Sequence, residues 1–214
     1  MLILKGLIIS SGDVKNYRNL SETINKYDFI LCADGGLRHA QYLGIKPNAV
    51  IGDFDSISKE SSEFADEHNI PMFKFPIEKD ETDTELALKF MLEKGCKDIT
   101  LLGATGSRVD HTLANIFLLK NLFAYNAIGK IVNDNNIIYF VNDKLELKKK
   151  EEYYISIIPI STGGITVSIE GFYYPLNNVE MQFGSTLGVS NKIIDDQGII
   201  KITKGQAIVI EAKD

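Results

Sequence analysis

The first half of the chain alternates short apolar runs with longer stretches that repeat at helical spacing. The apolar runs have strand length and cover residues 3–9, 29–33, 49–51, 72–75 and 99–102. The stretches with helical periodicity cover residues 37–43, 59–68, 84–93 and 112–123. This alternation predicts an α/β fold, with a mostly parallel sheet flanked by helices.

The pattern changes after about residue 125, where helical periodicity gives way to strand-length runs separated by turn residues. These runs cover residues 137–141, 144–147, 153–160, 165–172, 199–203 and 207–211. Such a series is typical of a small antiparallel β-sandwich or barrel. We therefore predict an α/β domain over residues 1–125, followed by an all-β sandwich over residues 126–214.

The net charge and the two cysteines indicate which binding partners and which cellular compartment to expect. The formal net charge of −6 argues against a nucleic acid or an anionic membrane as partner, because both attract basic surfaces. The apolar segment 1–10 is too short to span a membrane and lacks the features of a secretion signal. Cys32 and Cys96 are expected to be buried free thiols, which suits a cytoplasmic protein.

Acidic residues follow four of the predicted strands in the first half. They are Asp34, Asp53, Asp55, Asp80, Asp83 and Asp110. Loops that follow parallel strands emerge at one edge of the sheet, so these carboxylates should converge there. Clustered carboxylates raise each other's pKa values and call for a compensating cation. Mg²⁺ is the natural choice because it prefers oxygen ligands and often joins carboxylates to nucleotide phosphates.

Asp53 and Asp55 are two residues apart, and in an extended chain such residues face the same way. Both carboxylates could then reach one ion or two adjacent ions, with Phe54 pointing into the structure. A simple turn is the alternative, since Asp and Gly are common in loops. The presence of four acidic loops at one predicted edge favours a metal site.

The segment around Thr82 predicts the start of a helix. Thr82 and Glu85 have the spacing of a capping box, which places the first helical residue near Asp83. A helix N-terminus attracts phosphate and stabilises a negative Asp83. Capping does not account for the presence of Lys79 and Asp80 just before this helix.

A glycine-containing loop joins the strand at 99–102 to the next predicted helix. Gly103 and Gly106 would let the backbone approach a phosphate or an adenine closely. The planar guanidinium of Arg108 suits phosphate. Asp110 could belong to that site or cap the next helix, and His111 alone more often indicates a hydrogen bond at a helix start.

Together these motifs resemble those of the bacterial thiamine pyrophosphokinase family. The matching runs are residues 33–36 (ADGG), 52–56 (GDFDS), 80–83 (DETD), 108–111 (RVDH) and 184–191 (GSTLGVSN). The resemblance covers nearly the whole chain. It implies an ATP-binding catalytic α/β domain, followed by a thiamine-binding β-sandwich, in a homodimer whose active sites lie at the subunit interface.

The resemblance also implies roles for individual residues. Mg²⁺ would be held by Asp53, Asp55 and Asp83, which with Arg108 and Asp110 would form the catalytic set. ATP would be contacted by Asp34, Gly35, Gly36, Lys79, Thr82, Gly103, Thr105, Gly106, Arg108 and His111. Thiamine would lie near Asp80, Ser185, Ser190 and Asn191. The chain has Ser107 where the family commonly has glycine, and it has no tryptophan, which some relatives stack on thiamine.

The implied reaction is attack of the thiamine hydroxyl on the β-phosphorus of ATP, with AMP leaving. A pterin-type pyrophosphokinase is one alternative, against which residues 190–191 and the sandwich domain count. A nucleotide-sensing module without catalysis is another, which the number of acidic loops disfavours.

Overall fold

The computed structural model describes residues 3–17, 24–55, 57–76, 78 and 80–214. The chain forms two compact units, Met1–Asp134 and Asn135–Asp214. The division lies later than the predicted boundary at residue 125. The reason is a strand, Ile128–Val132, that pairs in parallel with Cys96–Leu102 of the first unit.

The first unit contains six strands and four α-helices within the described residues. The strands are β1 (Leu4–Ile9), β2 (Phe29–Ala33), β3 (Ala49–Gly52), β4 (Met72–Lys74), β5 (Cys96–Leu102) and β6 (Ile128–Val132). The helices are α1 (Leu37–Tyr42), α2 (Lys59–Glu67), α3 (Asp83–Glu93) and α4 (Val109–Leu118). Short 3-10 turns cover Ile24–Lys26, Asp34–Gly36 and Leu119–Tyr125.

The six strands run parallel in the order β4-β3-β2-β1-β5-β6. From β1 the chain builds outward through β2, β3 and β4, then returns to place β5 on the other side of β1. Strand order therefore reverses between β1 and β5. In open α/β sheets, ligands bind beyond the carboxyl ends of the strands at such a reversal.

Helices pack on both faces of this sheet because alternate residues of the central strands point in opposite directions. Leu7 and Ile9 of β1 share a buried cluster with Leu37 of α1 and Ala65 of α2. Gly6 faces the opposite way, since a Cβ built on it would lie 2.7 Å from Met91 Cε of α3. The predicted α/β architecture is confirmed.

The second unit consists of seven antiparallel strands in two groups. They are β7 (Asn136–Val141), β8 (Lys144–Lys148), β9 (Tyr154–Pro159), β10 (Ile165–Glu170), β11 (Leu176–Met181), β12 (Gln197–Lys204) and β13 (Ala207–Ala212). Strands β7, β13 and β9 pair side by side, and the second group has the order β11-β10-β12-β8. Both groups contribute to one buried cluster, including Ile155, Val167 and Ile200. The predicted β-sandwich is therefore confirmed.

The structure bears on two further expectations for the first unit and on one for the described chain as a whole. The predicted helix at 112–123 is shorter, because α4 ends at Leu118 and continues as a 3-10 turn. Cys32 and Cys96 are free and buried, as predicted. Within the described part of the chain, no helix combines the length and apolarity needed to cross a membrane.

Candidate active site

Three carboxylates from separate loops meet at the carboxyl ends of the strands of the first unit. One oxygen from each of Asp34, Asp53 and Asp83 lies within 4.8 Å of the others. Asp34 is buried, and the other two are partly buried. The structure thus brings together three of the six carboxylates that the parallel sheet was expected to gather. Like charges this close favour a bound cation.

The tight turn after β2 positions Asp34. Asp34 opens the 3-10 turn with a φ of 46°, a left-handed conformation that few non-glycine residues adopt. Gly36 allows this turn to sit against β1, because a Cβ there would lie 2.0 Å from the Ile9 carbonyl oxygen. Gly35 and Gly36, which the resemblance assigned to ATP, are buried beside Asp34 and lie outside the pocket lining.

The turn after β3 separates Asp53 from Asp55. Phe54 has a φ of 68°, so the chain is not extended here, and the extended geometry from which the shared facing of the two carboxylates was expected is wrong. The Asp55 backbone N–H instead donates to Asp53 Oδ1 at 3.1 Å, which closes a tight local turn. Phe54 packs against the core, as predicted. Asp55 is exposed and lines the pocket, but the close group of oxygens contains Asp34 in its place.

A helix start positions Asp83. The Thr82 hydroxyl accepts a hydrogen bond from the Glu85 backbone N–H at 3.2 Å, so α3 begins at Asp83 as predicted. The Glu85 carboxylate lies 3.1 Å from Lys89 Nζ, one turn further along the helix. Capping by Thr82 therefore sets the first turn of α3, from which Asp83 joins the acidic group.

The loop after β5 lies beside this group and is held by side chains of neighbouring elements. Asn115 Nδ2 donates to the Ala104 carbonyl at 2.8 Å, and the Gly106 N–H donates to Thr112 Oγ1 at 3.2 Å. Asn133 Nδ2 donates to Thr105 Oγ1 at 3.1 Å. Ser107 does not have a positive φ, so the loop forms without the glycine common in the family.

The loop after β1, residues 10–13, also lines the site, and the sequence-based assignment missed it. Its sequence, Ser-Ser-Gly-Asp, directly follows a predicted strand and could have been found by the rule that found the other loops. The loop lies against the one that follows β5, because the Gly12 N–H donates to the Gly103 carbonyl at 2.6 Å. Ser10 Oγ and Thr84 Oγ1 form a buried hydrogen bond of 3.0 Å nearby.

Arg108 and Asp110 form an ion pair at the start of α4. Arg108 Nε lies 3.2 Å from Asp110 Oδ1, and Nη2 lies 2.5 Å from Oδ2. The hydrogen bond from Arg108 lowers the pKa of Asp110 to about 2. The N-cap of α4 is Arg108, so the expectation that Asp110 caps this helix is wrong. Arg108 and the exposed His111 line the pocket, whereas Asp110 lies outside the lining.

These loops enclose a pocket of about 640 Å³, a volume within the range typical of small-molecule sites. Ten of the predicted residues line it: Asp34, Asp53, Asp55, Thr82, Asp83, Gly103, Thr105, Gly106, Arg108 and His111. The lining also includes residues that were not predicted: Ser10, Ser11, Gly12, Asp13, Ala33, Glu81, Thr84, Ala104, Ser107, Thr112 and Asn115.

Those of the remaining predicted residues that the structure describes are not among the residues that line the pocket. Lys79 is outside the described residues, and Asp80 is exposed and outside the pocket lining. Ser185, Ser190 and Asn191 belong to the second unit. Asn191 is buried there, where its amide donates to the Tyr174 carbonyl at 2.8 Å and accepts from the Tyr174 N–H at 3.1 Å. Its side chain therefore fixes the segment that contains the exposed Tyr174.

Two family models match the chain, one for each compact unit. Residues 20–131 match the model described as the catalytic domain of thiamin pyrophosphokinase. Residues 143–209 match the model described as the vitamin B1 binding domain of thiamin pyrophosphokinase.

Similar proteins span the chain from end to end. The thiamine pyrophosphokinase of Bacillus subtilis (strain 168) is 35% identical over 214 residues, which cover 99% of this chain and 100% of that protein. A crystal structure of thiamine pyrophosphokinase from Bacillus subtilis superposes with a TM-score of 0.87 at 30% identity, covering 98% of this chain and 99% of that one. A structure from Geobacillus thermodenitrificans gives a TM-score of 0.85 at 28% identity, covering 99% and 98% of the two chains.

The chain has an α/β unit with a carboxylate-lined pocket at its strand reversal, followed by a β-sandwich. Together with the matches above, these features place it in the class of two-domain transferases of the kinase type. Within that class, the chain belongs to the thiamine pyrophosphokinase family.

Proposed function

We propose that the acidic pocket of the first unit is where this chain transfers the pyrophosphoryl group of ATP to the hydroxyl of thiamine, giving thiamine pyrophosphate and AMP. The observation that supports this site best is the convergence of Asp34, Asp53 and Asp83 from three different loops. Membership of the family supports the reaction and both substrates.

Mg²⁺ is the cation that fits this donor set. The three nearest side chains supply only carboxylate oxygens, which are hard ligands of the kind that Mg²⁺ prefers. Asp34, Asp53 and Asp83 would hold the ion, with Asp55 at the same pocket. When bound, Mg²⁺ supplies neutralisation of the phosphate charge that builds up during transfer.

The chain's own residues would then orient ATP. Phosphoryl-type transfer depends on in-line positioning and on charge compensation more than on covalent help. Arg108 lines the pocket with a planar guanidinium, which its ion pair with Asp110 holds in one orientation. The pair engages Nε and Nη2 of Arg108, so a phosphate oxygen would accept from the Nη1 N–H groups. The loop at 103–107 offers small residues that permit close approach of the nucleotide.

Thiamine is a cation, so the negative pocket should favour its approach to ATP. Asp80, Ser185 and Ser190 remain proposed thiamine contacts. We propose that Asn191 acts on thiamine through the segment it fixes, because its amide is already engaged with Tyr174. A homodimer and a cytoplasmic location also remain proposals, based on the resemblance described above.

One experiment separates this function from its alternatives. The full chain is incubated with ATP and Mg²⁺ together with thiamine, with a pterin alcohol or with no acceptor, and AMP and the acceptor product are quantified by chromatography. We expect AMP and thiamine pyrophosphate in equal amounts, and only when thiamine is present. AMP release with the pterin alone would indicate a pterin-type enzyme, and ATP binding without AMP release would indicate a sensing module.

A further inference from the structure

Two consecutive residues of α1 form hydrogen bonds to the backbone of the loop at residues 10–13. The Arg38 guanidinium donates to the Ser11 carbonyl, and His39 Nε2 lies 2.8 Å from the Gly12 carbonyl oxygen. Neither Arg38 nor His39 lines the pocket. Their contacts fix the backbone of a loop that does line it.

The two ring nitrogens of His39 have defined roles. A carbonyl oxygen can only accept, so Nε2 carries the proton and donates to Gly12. Nδ1 then accepts from the Tyr17 hydroxyl at 2.7 Å. His39 is only 3% exposed, and this burial lowers the pKa of its imidazole, which favours the neutral form that the two bonds require. The result is a chain of hydrogen bonds from Tyr17 through His39 to Gly12.

The opposite side of the same loop touches the loop after β5. The Gly12 N–H donates to the Gly103 carbonyl at 2.6 Å, and the Asp13 N–H donates to the Thr105 carbonyl at 3.1 Å. A Cβ on Gly12 would lie 2.2 Å from the Thr105 carbonyl oxygen, so the two loops are in close contact. A shift of Gly12 would therefore disturb both loops that flank the strand reversal.

The position of His39 in the chain links this contact to the acidic group. Helix α1 follows the turn Asp34–Gly36 without a break, so one short segment supplies both Asp34 and His39. The segment contacts the loop after β1 through His39 and the acidic group through Asp34. The relative position of loop and carboxylates thus depends on how His39 is bonded.

We propose that His39 is a positioning residue for ATP, which acts by holding Gly12 through its Nε2–H and so aligns the loops at 10–13 and 103–107. This inference rests on the proposed function, since it assigns a task to a residue behind the proposed ATP pocket. Small displacements of groups that position a substrate can cost about 100-fold in rate.

The test compares His39→Gln with His39→Asn in the full chain. The glutamine amide nitrogen reaches about as far as Nε2 and can still donate to Gly12, whereas the asparagine amide is one methylene shorter and cannot. The measurements are KM for ATP and kcat at saturating thiamine and Mg²⁺, together with hydrogen–deuterium exchange of the Gly12 and Asp13 amides. His68→Asn is the matched control, because His68 is exposed and is the C-cap residue that follows α2.

We expect His39→Asn to raise KM for ATP by about 10-fold or more and to speed exchange of both amides. We expect His39→Gln to keep KM for ATP within about threefold of the wild-type value, because the variant only weakens one neutral hydrogen bond. A protein that is merely less stable would lose active enzyme, which lowers apparent kcat but leaves KM unchanged. Wild-type KM and exchange in His39→Asn, or equal impairment of both variants, would overturn the inference.

Two remaining cases are decided by further measurements. If neither His39 variant folds, Tyr17→Phe decides, since it removes the hydroxyl that donates to His39 Nδ1, one of the two hydrogen bonds that hold the His39 ring in place. It should raise KM for ATP and speed exchange of the Gly12 amide, and no change in either would overturn the inference. If the wild type makes no thiamine pyrophosphate, the proposed function fails, while the exchange comparison still tests whether His39 holds the loop.

Discussion

At the scale of single residues, the acidic pocket depends on two non-glycine residues with left-handed backbone conformations. Asp34 has a φ of 46° and Phe54 a φ of 68°. Such conformations cost on the order of 1–3 kcal/mol and persist only where the surroundings enforce them. At Phe54 the ring is packed against the core, and at Asp34 the turn is seated against β1. At Asp34 the strained residue itself supplies a carboxylate of the acidic group, and at Phe54 the strained residue forms the turn between Asp53 and Asp55.

Arg108→Lys is expected to weaken ATP handling although the charge is kept. Lysine has no planar group that could bind Asp110 and a phosphate oxygen at the same time, so we expect one hydrogen bond to be lost. A hydrogen bond to a charged group contributes about 1.5–3 kcal/mol. KM for ATP should rise by about 10-fold or more in steady-state kinetics.

Thermal unfolding serves as the control for this variant, because the Arg108 side chain is 70% exposed and should contribute little to stability. An unchanged KM for ATP in the lysine variant would show that Arg108 does not act on the nucleotide.

The acidic residues could be predicted from sequence because each follows an apolar run of strand length. Their convergence then follows from the geometry of a parallel sheet. The sequence could not predict that the close group of carboxylate oxygens contains Asp34 and not Asp55. That difference depends on the positive φ of Phe54, and phenylalanine carries no sequence signal for that conformation.

At the scale of secondary-structure elements, the N-cap determines where a helix begins and therefore which residues, such as Asp83, lie in its first turn. Two helices of the first unit have similar caps, since Thr82 Oγ1 and Ser58 Oγ each accept from a backbone N–H at 3.2 Å. Only α3 places a carboxylate of the acidic group in its first turn. The two caps therefore form a matched pair for a test.

Thr82→Ala and Ser58→Ala should each lower the free energy of unfolding by about 1 kcal/mol, the usual loss for an N-cap. Only Thr82→Ala should also lower the rate of thiamine pyrophosphate formation, because it loosens the turn that holds Asp83. Urea denaturation and steady-state kinetics measure the two effects. Equal activity of the two variants would mean that the Thr82 cap does not position Asp83.

Most elements could be predicted, and the exceptions have physical reasons. Strand β11 (Leu176–Met181) contains Asn177, Asn178 and Glu180, so it lacks the alternation of apolar residues that marks a strand. Its place in the sheet comes from pairing with β10, which is a long-range contact. The β1 loop was missed although its sequence was informative, because acidic residues were sought only after later strands.

At the scale of the whole molecule, the boundary between the two units is set by strand pairing and not by the change in sequence pattern. Strand β6 lies beyond the predicted boundary at residue 125, yet it completes the parallel sheet of the first unit. Ile131 in this strand is fully buried, and Ala127 just before it is nearly so. A fragment that ends at residue 125 would lack both.

A fragment of residues 1–134 should therefore be more stable than a fragment of residues 1–125. The longer fragment keeps the β5–β6 pairing and buries Ile131, and burial of one isoleucine side chain contributes about 1.5–3 kcal/mol. Circular dichroism during urea denaturation measures the difference. Identical unfolding midpoints would mean that β6 adds nothing to the stability of the first unit.

The central claim is that the acidic group of the first unit supports pyrophosphoryl transfer, and the rate of thiamine pyrophosphate formation by Asp53→Asn tests it most directly. Asp66→Asn is the control, because Asp66 is an exposed aspartate of α2 away from the pocket. Loss of one well-placed electrostatic contact typically lowers turnover by about 100- to 1,000-fold. We predict a loss of at least about 100-fold for Asp53→Asn, with an unchanged circular dichroism spectrum and near wild-type activity of the control. Near wild-type turnover of a folded Asp53→Asn variant at ordinary Mg²⁺ concentrations would contradict the account.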